Sequence, residues 1–136
     1  MRNAIVHGIE DKEERNVAGK HAEGLIRIEL KRDEAGAIEI IVTDDGRGID
    51  IESLRGQLVA SGHYTPEAVA QMSERDVASM IFRPGFSTAS VVTEHAGRGF
   101  GLDVLYDLVR NANARLRVSS TPKVTTSFTL QWNPVQ

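Results

Sequence analysis

Two alternating runs joined by a turn constrain this chain more than anything else in it. In Leu25-Ile26-Arg27-Ile28-Glu29-Leu30-Lys31 the apolar residues Ile26, Ile28 and Leu30 take every second place, the period of a half-buried strand. Asp33-Glu34-Ala35-Gly36 is turn chemistry, so the returning run Ala37-Ile38-Glu39-Ile40-Ile41-Val42-Thr43-Asp44 forms a hairpin with it. Side chains two apart share a face, which puts Asp44 on the side of Ile38, Ile40 and Val42, the side expected to meet a core. A carboxylate aimed there is costly unless something donates hydrogen bonds to it. The loop that follows, Asp44-Asp45-Gly46-Arg47-Gly48-Ile49, admits two readings. Asp-Gly is a strong hairpin signal, so the loop is either one more turn or a place where a ligand meets backbone. Only the second gives the inward carboxylate a purpose.

A second glycine-rich stretch stands downstream. Gly97-Arg98-Gly99-Phe100-Gly101 runs into a helix on which Phe100, Val104, Leu105, Leu108 and Val109 recur at helical spacing. Glycines let a backbone come close, and first-turn N–H groups lack intrahelical partners, so this is a place for an anion such as a phosphate. The competing reading is a flexible turn that only enters a helix. No Gly-Lys-Ser/Thr follows and no strand precedes, which excludes a Walker loop and a dinucleotide fingerprint. Just upstream, Arg83-Pro84-Gly85-Phe86-Ser87-Thr88-Ala89 is turn-rich and Ser90 to Ala96 has no period, so Ser87 to Ala96 is expected to be a lid.

The remaining segments fill in the architecture. Asn3 and His7 stand four apart and share a helix face, with Gly8 ending that helix. A second helix is expected from Lys12 to His21. Asp50 caps a helix to Ser61 that Gly62 ends; Thr65-Pro66 opens another; Ser73-Glu74-Arg75-Asp76 resembles a capping box for a short helix through Met80 to Phe82. The helix after Gly99 is expected to run to Ala112. Arg115 to Ser119 and Thr126 to Trp132 alternate as strands, the last with Thr126, Phe128, Leu130 and Trp132 on one face, so Thr126 reaches the same pocket as Asp44 while Trp132 packs. Helices, a hairpin, helices and two more strands make a two-layer α/β sandwich, a mixed and largely antiparallel sheet with helices on one face.

Composition bounds what such a domain does. At 136 residues the chain is one domain, and a net charge of −3 without any Lys/Arg cluster argues against a nucleic-acid partner. It has no cysteine, hence no disulfide framework or thiolate site, and its histidines lack ligand spacing. No apolar run approaches membrane-spanning length and no signal-peptide pattern opens the chain, so a cytoplasmic protein without direct membrane contact is expected.

Four pieces therefore stand in one order: Asn3-x-x-x-His7; Asp44-x-Gly46-x-Gly48; Phe82-x-Pro84-Gly85-Phe86-Ser87-Thr88; and Gly97-x-Gly99-x-Gly101. This order resembles the boxes of the GHKL (Bergerat-fold) ATPase superfamily, most closely the ATP-binding domain of CheA-type chemotaxis histidine kinases, over essentially the whole chain. The resemblance implies an ATP-binding module that presents Mg²⁺·ATP to a histidine on another domain or chain in two-component signalling. It implies that Asp44 accepts the adenine amino group, a bond worth roughly 1.5–3 kcal/mol to a charged acceptor. It further implies that Gly46 and Gly48 let the base lie against the backbone, with Thr126 assisting. Asn3 would offer its amide oxygen to Mg²⁺, and His7 would meet the phosphates. Gly97, Gly99 and Gly101 would cradle those phosphates, with Arg98 nearby. The partners implied are a phospho-acceptor histidine domain and a downstream response regulator.

The chain also departs from that pattern. Val6 stands where CheA-like proteins carry an acidic residue, Thr125 where a glycine usually precedes the threonine, and Met1 lies almost on the first box, which implies a fragment or an N-terminally shortened member. Self-association through the region thereby uncovered is expected. Two other readings remain: a nucleotide-sensing or degenerate module that regulates a partner, and an anti-sigma-factor-type serine kinase, against which the long insert from Ile51 to Phe82 argues.

Overall fold

The computed structural model describes residues 8–83, 109, 111–112 and 114–132. They fall into two units, Met1–Ile49 with Arg115–Gln136, and Asp50–Ala114.

In the first unit, helix α1 (Lys12–Val17) starts on a reciprocal cap: Asp11 accepts from the Glu14 N–H and the Glu14 side chain accepts from the Asp11 N–H. It stops four residues short of the expected His21. Gly19 takes a left-handed φ of 70°, Lys20 N–H donates to Arg15 O at 2.9 Å and Gly19 N–H to Asn16 O at 3.1 Å. That pair of bonds is a Schellman ending, and it turns the chain so that Lys20 comes back beside α1.

Strands β1 (Ile26–Arg32) and β2 (Ile38–Asp44) form the expected hairpin, and β2 pairs on its other side with β4 (Thr125–Trp132). Strand β3 (Ala114–Thr121) lies beyond β4, giving the order β1-β2-β4-β3, and a tight turn at 122–124 joins the last two. The described sheet is antiparallel where β2 meets each neighbour. Ile28 sits opposite Val42 and Leu30 opposite Ile40; Phe128 sits opposite Val42 and Thr126 opposite Asp44. All the apolar alternates of three strands therefore share one face, with Asp44 and Thr126 at one end of it.

Burial along that face corrects two expectations. Asp44 and Thr126 are 4% and 6% exposed, but Ile28 and Leu30 are 54% and 73% exposed, and Trp132, expected to pack, is 42% exposed. Alternation reports which way a side chain points; whether it is covered depends on what lies over it. Each such side chain forgoes part of the roughly 1.5–3 kcal/mol that full burial would supply.

The second unit is helical. Helix α2 (Ile51–Ala60) is capped by Asp50, which accepts from Ser53 N–H at 2.9 Å, and is ended by Gly62 at φ 73°. Helix α3 (Pro66–Gln71) carries Thr65 as cap and Pro66 in its first turn, and α4 (Glu74–Ser79) is capped by Ser73 before a 3₁₀ turn, Met80–Phe82. Leu54 and Leu58 of α2, Val69 of α3, and Val77, Ala78, Ile81 and Phe82 beyond are buried. Arg55 closes the C-terminus of α3, its Nη1 donating to Val69 O and its Nη2 to Met72 O at 2.9 Å.

Candidate functional site

The site grows from the end of β2. Because Asp44 closes a strand whose register with β4 is fixed over seven residues, its carboxylate is delivered to the inner face opposite Thr126. Gly46 N–H turns back and donates to Asp44 Oδ1 at 3.0 Å. The neighbouring Thr125 hydroxyl donates to Asp44 O at 2.7 Å, fixing the strand end itself. Among the described residues nothing else donates to the carboxylate; since no buried side-chain oxygen there lacks a partner, Oδ2 is open to the surface of the site and keeps its acceptor capacity. Burial pushes the Asp44 carboxyl above the usual range; the Gly46 N–H pulls it back, and the nearby charges of Asp45 and Glu10 push it up further. A largely buried carboxylate with one open oxygen favours a ligand bearing an N–H donor and disfavours one that presents an acceptor there.

The two glycines of the loop have reasons of their own. A Cβ on Gly46 would lie 2.1 Å from Gly8 O and 2.8 Å from Asp44 Oδ1, while one on Gly8 would be 3.5 Å from Asp44 Oδ1. The backbones at 8 and 46 are thus in direct contact, tied by Arg47 N–H donating to Gly8 O at 2.8 Å. Gly48 has φ 75°, and a Cβ there would meet Thr121 O at 2.7 Å. The β3–β4 turn is bound to the same loop: Lys123 N–H donates to Arg47 O at 2.7 Å and Ile49 N–H to the Ser120 hydroxyl at 2.8 Å.

Behind the loop stands a charge cluster that sequence reasoning missed. Arg15 is 1% exposed, yet its five guanidinium donors all find acceptors. Nε reaches His21 O at 2.6 Å, Nη1 reaches Glu10 Oε2 at 3.2 Å and Asp45 O at 3.3 Å, and Nη2 reaches Asp45 Oδ2 at 2.7 Å and Glu23 O at 3.3 Å. Leu25 N–H holds the other oxygen of Asp45 at 2.8 Å. Lys20 Nζ donates to Glu10 Oε1 at 2.7 Å, Asp45 O at 2.8 Å and Gly46 O at 2.7 Å. Burial would raise the Asp45 carboxyl, but Arg15 and the Leu25 N–H outweigh it and hold it below the usual range. Glu10 behaves alike: burial pushes up, and Lys20, its own backbone N–H and Arg15 pull it lower still. Arg15 is pushed up by its hydrogen bond to Asp45 and the charges of Asp45 and Glu10, against burial. A charge-dense run such as 10–23 reads in sequence as a solvated helix, and nothing in it marks Arg15 as buried.

Of the residues expected to act, the structure brings Asp44, Gly46, Gly48 and Thr126 together. Asn3, His7, Gly97, Arg98, Gly99, Gly101 and the segment Ser87 to Ala96 lie outside the described residues. Among the described residues no group of acidic or histidine side chains could hold a metal ion, and no helix is long and apolar enough to cross a membrane.

Residues 1–136 match the family described as histidine kinase-, DNA gyrase B-, and HSP90-like ATPase. The chain is 42% identical over 130 residues to a chemotaxis protein CheA of Halobacterium salinarum, covering 96% of this chain and 19% of that protein. It is 41% identical over 120 residues to a gliding motility regulatory protein of Myxococcus xanthus, covering 88% and 15%. It is also similar to the histidine kinase domain of a blue-light activated histidine kinase of Erythrobacter litoralis, with TM-score 0.49 and 16% identity over 96% of this chain and 38% of that one. The chain thus spans less than a fifth of the length of the two curated relatives.

Proposed function

This chain belongs to the histidine kinase-, DNA gyrase B- and HSP90-like ATPase family, and we propose that it is the ATP-binding catalytic module of a CheA-like histidine kinase. The observation that carries the proposal is Asp44, a buried carboxylate whose Oδ2 has no donor among the described residues. Adenine offers an exocyclic N–H₂ donor at the position where guanine has a carbonyl acceptor, so this carboxylate accepts from the first and repels the second. Thr126 stands opposite and adds a hydroxyl at the same end of the sheet.

ATP supplies the transferable phosphoryl group; the protein's task is to bind, orient and neutralise. Asp44 fixes the base. On the family resemblance, Gly97, Gly99 and Gly101 offer backbone N–H groups to the phosphates beside Arg98, and His7 meets them from the first helix. Asn3 is the residue that would hold Mg²⁺. The acceptor is a histidine on another domain or chain, and a response regulator takes the phosphoryl group next, as suits a protein akin to chemotaxis CheA proteins. We place the protein in the cytoplasm on the same resemblance. Self-association through the open face around Ile28 and Leu30 is the expected assembly, read by sedimentation at several concentrations.

Titration calorimetry with ATP and GTP tests the base assignment. ATP should bind and GTP should bind at least tenfold more weakly, a difference of about 1.4 kcal/mol. Equal affinities would overturn it. Phosphotransfer from γ-labelled ATP to an added histidine acceptor domain tests the enzymatic half.

A further inference from the structure

Lys20 and Asp44 share no hydrogen bond, yet a single peptide plane joins them. There is no cis peptide among the described residues, so the carbonyl of Asp45 and the N–H of Gly46 point in opposite directions. On one side Asp45 O accepts from Lys20 Nζ at 2.8 Å and from Arg15 Nη1 at 3.3 Å. On the other, Gly46 N–H donates to Asp44 Oδ1 at 3.0 Å. The next carbonyl, Gly46 O, is held by the same ammonium at 2.7 Å, and Glu10 Oε1 takes its third proton at 2.7 Å. With all three donors engaged, the ammonium has one place to be.

The alternative conformation shows why this matters. Gly46 has no side chain to restrain it, and a glycine peptide is free to rotate where other residues are not. A rotated Asp45–Gly46 peptide would turn its carbonyl oxygen toward the Asp44 carboxylate, remove the N–H from Oδ1 and put two acceptors face to face. A cation on the far side of the peptide favours the observed orientation over that one. It also draws electron density toward the carbonyl, which strengthens the N–H as a donor.

We infer that Lys20, seconded by Arg15, is a positioning residue for base recognition: by fixing the Asp45–Gly46 peptide it commits Asp44 Oδ1 to the loop and leaves Oδ2 for the exocyclic amino group of the base. This rests on reading Asp44 as the group that meets adenine. Lys20 touches no ligand in this scheme; it acts through the peptide.

The test compares ATP with inosine triphosphate, which carries the same sugar and phosphates but has a carbonyl in place of the amino group. Both are titrated into the unmodified protein, Lys20→Met and Lys20→Arg, with circular dichroism confirming the fold of each. Lys20→Met should lose at least fivefold of the preference for ATP over inosine triphosphate, and Lys20→Arg, which can still reach both carbonyls, should keep most of it. A preference unchanged in Lys20→Met, or the two affinities falling in parallel, overturns the inference, since a merely structural role would weaken both nucleotides alike. Should Lys20→Met not fold, Lys20→Gln gives the same readout with two uncharged amide N–H donors in place of the ammonium's three; a loss of at least threefold is expected, and no loss overturns. An unmodified protein that binds both nucleotides equally, or neither, fails the assignment of Asp44 itself.

Discussion

Asp44 and Asp45 are neighbours in the chain, and the fold drives their carboxyl groups in opposite directions. Asp44 is pushed up by burial, while Asp45 is held down by Arg15 at 2.7 Å and by Leu25 N–H at 2.8 Å. Two like groups whose surroundings separate their acidities have separate tasks. Asp45 anchors the loop, while Asp44 has one oxygen on Gly46 N–H and the other open to a ligand.

Asp44→Asn should weaken ATP binding at least tenfold, because the amide is a poorer acceptor and brings two donors of its own. The same change should leave thermal stability unchanged or raised at neutral pH. A carboxyl whose folded pKa lies above its unfolded value makes the fold less stable as pH rises through that range, so the ionised form is a cost the variant removes. Calorimetry and melting curves measure the two effects on one sample. A variant that binds ATP normally, or that unfolds, contradicts this role.

Asp45 and Glu10 give the opposite slope. Their folded pKa values are depressed, so their contribution is present above the unfolded carboxylate range and is lost as pH falls through the folded values. Asp45→Asn should lower the denaturation midpoint at neutral pH, and its deficit against the unmodified protein should shrink toward the acid end. Urea titrations at a series of pH values would read this directly.

Three glycines should respond to alanine in three ways. Gly46→Ala meets the Gly8 carbonyl at 2.1 Å and should destabilise most. Gly48→Ala should cost roughly 1–2 kcal/mol for its left-handed backbone, plus the contact with Thr121 O. Gly56, inside α2 with open space around it, should accept alanine with a gain of about 1 kcal/mol. Denaturant midpoints in that order are expected; a neutral Gly46→Ala would mean that the 8–46 contact is not tight.

Asn3→Ala should abolish Mg²⁺-dependent phosphotransfer while sparing most adenine binding measured without metal. Transfer that survives the change would remove Asn3 from the metal.

Much of this site was legible because strand geometry has a period of two. Once Ile38, Ile40 and Val42 were assigned to one face, Asp44 had to join them, and the register opposite Thr126 agrees. The caps at Asp50, Thr65 and Ser73 were equally readable, since each depends on residues within three positions. What stayed hidden depends on distant partners. Nothing near Arg15 in sequence says that its guanidinium meets Asp45, thirty residues on. Nor does the alternation of Ile28 and Leu30 say that their end of the face stays open.

That open end sets a direction for motion along the sheet. At Asp44 and Thr126 the strands end in buried side chains, with a loop fastened to backbone at 8 and 123 and to the Ser120 hydroxyl; at Leu30 and Trp132 the same ladder faces water. Amide exchange should therefore run as a gradient, quick where Leu30 pairs with Ile40 and slow toward Asp44. The sheet should fray from the end remote from Asp44, so a fluctuation that opens the outer rungs leaves that carboxylate in place.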